Sequence, residues 1–167
     1  MCRRLILTFS AITALGLGLL PGSGFSQQKT LKEQLVGTWM LFSYERMASG
    51  TKQTIANPKG ILMFDAGGRY VMAGERGDRP KFKSAGQATT EELAAATQDF
   101  FAANFGTWLV SEADRILTQH FDGALRPNNE GTDVKSSISL TGDELKLINV
   151  MPLPTGASIE QVYRRAK

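Results

Sequence analysis

From residue 35 to residue 166, short runs of apolar and β-favouring residues alternate with turn residues, at the close spacing of an antiparallel meander or barrel. Eight such runs stand out: residues 35–46, 61–65, 69–74, 105–111, 116–125, 132–140, 144–150 and 158–166. The second and third join through Ala66-Gly67-Gly68 and the sixth and seventh through Thr141-Gly142-Asp143, both tight hairpin signals. In the 132–140 run Val134, Ile138 and Leu140 share one face while Asp133, Lys135, Ser137 and Ser139 share the other, so one side of that strand is wet. Leu145 and Leu147 against Glu144 and Lys146 repeat the pattern. One segment changes period. Thr89-Thr90-Glu91-Glu92 reads as a capping box, and Leu93, Ala96, Phe100 and Ala103 follow at helical spacing, which predicts an amphipathic helix over residues 90–104.

The first 26 residues read differently. Arg3 and Arg4 precede an apolar stretch over residues 5–20 and then small residues, the pattern of a secretory signal peptide cleaved before Gln27. The expected product is a periplasmic or secreted domain, residues 27–167, with no stable membrane anchor after cleavage. Cys2 leaves with the leader, so disulfides, thiolate catalysis and cysteine-ligated metals are excluded from the domain. The formal net charge is +3. Removing Arg3 and Arg4 leaves seventeen basic against sixteen acidic residues, interspersed along the chain, which argues against nucleic acid as a partner. No nucleophile elbow, phosphate-cradling loop or dinucleotide fingerprint occurs, and no cofactor is implied.

Gly37-Thr38-Trp39 at the start and Gln161-Val162-Tyr163-Arg164-Arg165 at the end resemble the lipocalin and fatty-acid-binding superfamily, in which first and last strands pair to close a barrel. Further stretches, at residues 57–65, 68–70, 78–82, 105–110 and 131–133, resemble the bacterial exported proteins grouped as a lipocalin-like domain family within the calycins. The resemblance implies an all-β fold, an antiparallel eight-stranded barrel with one α-helix inserted between strands 3 and 4, and no agreed activity. It implies that Gly37, Trp39 and Arg165 close the barrel, with Arg165 stacked on Trp39 and Arg164 its competitor if the strand is bulged. Tyr163 carries over as a ligand contact. The family's ligand-anchoring arginine is replaced by Gln161, which gives up a charge-assisted hydrogen bond worth about 1.5–3 kcal/mol and favours a neutral or weakly polar ligand.

Strand parity and the resemblance together nominate Phe64, Met72, Leu109, His120, Gln161 and Tyr163 as ligand-binding residues, with Met40, Met63 and Met72 as core filler. The only histidine, His120, pairs by parity with Asp122 and suggests a general base with Tyr163 as the acid. Residues two apart on a strand hold their side chains roughly 7 Å apart, so that pair needs a bend; the competing reading is a hydrogen-bonded histidine at the wall or rim. A metal site would be left with carboxylates alone beside that one histidine. The loop over residues 76–81 reads as solvated, with Asp78 paired to Arg79 or Lys81, or as an anion contact at the barrel mouth. Three functions stay open. The leading one is a binding protein for a small hydrophobic ligand; the others are a cyclase or isomerase-type enzyme and a solid-cored envelope protein acting through its surface.

Overall fold

A computed structural model describes residues 29–84, 86–150 and 157–167. The leader expected from the sequence lies outside the described residues. A short helix α1 (Leu31–Leu35) precedes strands β1 (Gly37–Ala48), β2 (Thr51–Thr54), β3 (Lys59–Phe64) and β4 (Arg69–Glu75). Helix α2 (Thr90–Gln98) then leads into β5 (Phe100–Ser111), β6 (Ile116–Ala124), β7 (Asp133–Thr141), β8 (Glu144–Asn149) and β9 (Ser158–Arg165). All neighbours pair antiparallel, and β1 pairs a second time with β9, which closes the sheet. β2 pairs only with the far end of β1, from Glu45 to Ala48, so eight strands make the barrel and β2 is an added flap.

Alternation places the large apolar side chains inside. On β6 Leu117, Gln119 and Phe121 are buried while Thr118 and His120 between them are not. One residue of phase decides everything on a strand. On β5 Trp108 takes the inner position, packing 4.7 Å from the Phe64 ring and donating its indole N–H to the carbonyl of Asp65 at 3.2 Å. Leu109 therefore points outward and is 61% exposed, which removes it from the expected ligand contacts. Met40 and Met63 are also on the outer wall, so of the three methionines read as core only Met72 is part of it.

Both helix starts are capped, α2 by the box expected from the sequence and α1 by one that was not. Thr89 and Glu92 form a reciprocal capping box at α2, and Thr30 and Glu33 form another at α1. The α2 helix stops at Gln98, short of the expected 104, because the next residues are claimed by strand pairing: Ala102 sits opposite Gly74 and Ala103 opposite Ala73. The helical spacing of Phe100 and Ala103 loses to the ladder with β4, and Phe101 turns in to stack 4.2 Å from Tyr44. α2 buries none of its own residues, and Leu93 on its apolar stripe is exposed.

Candidate functional site

The barrel has two unlike ends. At the base, where α1 enters, Trp39 is fully buried and donates its indole N–H to the carbonyl of Leu35 at 2.8 Å. The Arg165 guanidinium lies 4.1 Å from the Trp39 ring and donates to the carbonyls of Gln34 and Val36. Those carbonyls are at the C-terminal end of α1, where a cation is favoured. Gly37 explains itself here: its φ is +132°, and a Cβ would meet an Arg165 nitrogen at 3.1 Å. The other end of α1 is held by Glu112, whose carboxylate accepts from the backbone N–H groups of Leu31 and Lys32 at 2.9 Å each. Arg164 faces outward over Phe42, 3.6 Å from the ring, so it does not compete for Trp39. Arg165→Met is expected to lower stability by about 2 kcal/mol, through lost carbonyl bonds and the lost cation–π contact, with Arg165→Lys recovering little. A urea midpoint series reads this.

Above that plug the inner wall is neutral. Among the described residues the buried polar side chains are Gln119, Ser136 and Gln161, together with the phenols of Tyr44, Tyr70 and Tyr163, and none is charged. Tyr163 donates its O–H to the Met72 sulfur at 3.4 Å. Phe64 lies between Trp108 and Tyr70, and Gln161 sits opposite Tyr44 near the mouth. The Tyr70 hydroxyl, the Gln119 amide nitrogen and the Asn104 amide oxygen are buried without a hydrogen-bond partner. Sequence reasoning did not select these three. Their only signal is a polar residue at an inward parity position, and that needs the register.

Burial raises the pKa of Tyr44, Tyr70 and Tyr163 above the ordinary tyrosine value near 10. The unfolded chain therefore ionises these phenols at a pH where the folded barrel keeps them protonated. Their stabilising contribution is intact below about pH 10 and is lost as pH climbs through the folded-state values. The expected result is a urea midpoint that declines from about pH 10 upward and declines less in Tyr70→Phe.

His120 is on the outer face. Its Nδ1 is 2.7 Å from a carboxylate oxygen of Asp133 on β7, directly opposite in register, and its Nε2 is 3.9 Å from Asp122, which itself pairs with Arg69 at 2.8 Å. The orienting carboxylate is Asp133 rather than the expected Asp122. His120 and Tyr163 lie on opposite sides of the wall, so they face no common cavity, and His120 is not among the inner ligand contacts. In the loop after β4 Asp78 pairs with Arg76 at 3.3 Å, while Arg79 pairs with Glu75, again not the expected partners. Among the described residues no cluster of three His, Cys, Asp or Glu side chains is placed to hold a metal, and no helix is long and apolar enough to cross a membrane. A groove of about 530 Å³ opens on the outer wall across β4, β5 and β6, lined by Val71, Ala73, Phe105 and Leu125 among others.

No curated protein matches the chain. Five solved chains match, one of them a crystal structure of a mutant of the fluorescent protein UnaG, at 12% identity and a TM-score of 0.35, covering 80% of this chain and 97% of that one. The lipocalin-like domain matches residues 36–166. That span takes in all eight barrel strands and both closing residues, Trp39 and Arg165, and the chain belongs to the lipocalin-like domain family.

Proposed function

We propose that this chain is an exported binding protein that holds one small, uncharged, largely apolar molecule inside its barrel. One observation carries the reading, the set of polar side-chain atoms on the inner wall that the fold leaves unpaired. The Tyr70 hydroxyl, the Gln119 amide nitrogen and the Asn104 amide oxygen are buried among apolar neighbours with no partner in the fold. An eight-stranded barrel has room for its own side chains or for one small ligand, and unpaired polar groups on the inner wall move the balance toward a ligand. α2 fits a cover that shifts aside, since it gives no side chain to the core. Export rests on the basic-then-apolar leader pattern of residues 1–26.

The test is native mass spectrometry of protein purified gently from its own host. A stoichiometric extra mass that disappears on unfolding is the expected result. A protein of bare mass that also takes up no apolar probe overturns the reading. A surface role is the second reading, favoured by the outer-wall row of Met63, Val71 and Phe105, lateral neighbours in register and all exposed.

A further inference from the structure

We infer that the ligand is an uncharged molecule carrying a carbonyl-type acceptor oxygen, held by the Tyr70 hydroxyl and the Gln119 amide on the inner wall. This rests on the reading of the barrel interior as a ligand site and names what that site selects.

Tyr70 is 2% exposed and Gln119 is 4% exposed, and neither the phenol oxygen nor the amide nitrogen has a partner. Buried hydroxyl and amide groups left unmade carry the full desolvation penalty, so native folds supply a partner for nearly all of them. The two groups belong to one neighbourhood. Tyr70 on β4 and Phe121 on β6 both sit opposite Gly106 of β5, with their rings 6.4 Å apart, and Gln119 is the next inward residue after Phe121. Both groups are donors, the amide nitrogen by its chemistry and the phenol through its hydroxyl hydrogen, so what they share is an acceptor.

Charge selects against an anion. Of the guanidiniums at the barrel ends, Arg165 is committed to Trp39 and two backbone carbonyls at the base. At the mouth Arg46, on β1 one inward step beyond Tyr44, and Arg126 both act on the Tyr44 phenol, and among the described strand residues no inward position between these ends is charged. A carboxylate beside Tyr70 would lie in this neutral interior without a counter-charge, which is costly. A ketone, ester or amide oxygen meets the same two donors without that cost.

Three probes of one shape separate these claims: 2-acetylnaphthalene, 2-ethylnaphthalene and 2-naphthoate, titrated by calorimetry at neutral pH into the wild-type protein and into Tyr70→Phe and Gln119→Leu, singly and together. The ketone is expected to bind about tenfold more tightly than the hydrocarbon or the carboxylate. In the double variant that preference should fall to within about twofold while the hydrocarbon keeps its affinity. Tyr70→Phe keeps the ring and so keeps the fold if Gln119→Leu does not. Equal binding of all three probes, or a ketone preference that survives both substitutions, overturns this inference and leaves the interior site standing. Naphthoate binding as tightly as the ketone overturns the selection against charge. No binding by any of the three sinks the interior site as well.

Discussion

Trp39→Ala is expected to cost about 3–5 kcal/mol, the range for removing a fully buried large aromatic, and to lower the melting temperature by roughly 10 °C or more. Three things go at once. The indole volume leaves a void at the base between α1 and the first turn of the barrel. The Leu35 carbonyl loses its donor, and the Arg165 guanidinium loses the ring beneath it. Trp39→Phe should recover the larger part of the loss, because it refills most of the void and restores a π face, while leaving the carbonyl unpaired. Urea unfolding followed by circular dichroism measures both. A loss under about 1 kcal/mol for the alanine variant would mean the base is not sealed by this residue.

Gly106→Ala should be nearly as damaging, about 3 kcal/mol, for the opposite reason. A Cβ at this position would be 1.9 Å from the carbonyl oxygen of His120 and 2.9 Å from the amide nitrogen of Asp122. Both are backbone, so no side-chain rotation relieves the clash. Gly106 sits at the bulge where β5 and β6 change register between Phe105 and Gly106, and the close approach is what the bulge needs. The substitution forces the two strands apart, so amide exchange should accelerate selectively at the 104–108 and 119–123 ladder before global unfolding. Unchanged protection there, with an unchanged melting temperature, would contradict the described register.

Much of this barrel was legible because its strands face water on one side and a core on the other. Val134, Ile138 and Leu140 alternate with polar residues and announce one buried face; Gly37, Trp39 and Arg165 sit on the first and last barrel strands, where closure demands them. The helix start at Thr89 was visible in its capping box. Its end was not, because Phe100, Phe101, Ala102 and Ala103 suit either period and only pairing with β4 decides between them. Leu109 failed for a related reason. Trp108 and Leu109 are adjacent and both apolar, and the choice of which faces inward depends on Phe64 and the Asp65 carbonyl across the sheet. α1 had a signal that went unread, since Thr30 and Glu33 stand at capping-box spacing just before Gly37. Asp133 as the partner of His120 was out of reach, as cross-strand neighbours thirteen residues apart depend on the register of β6 and β7. The inward amides and hydroxyls share that limit, and they are the residues on which ligand choice depends.

The most direct test of the binding account uses the methionine methyl groups as reporters on the two sides of the wall. Met72 faces the interior against Tyr163, while Met40 and Met63 are exposed outside. Protein labelled with ¹³C at the methionine methyls and titrated with 2-acetylnaphthalene should show a saturable ring-current shift at Met72, with Met40 and Met63 unmoved. Shifts at Met40 and Met63 with Met72 silent would place the molecule on the outer wall and contradict a ligand inside the barrel.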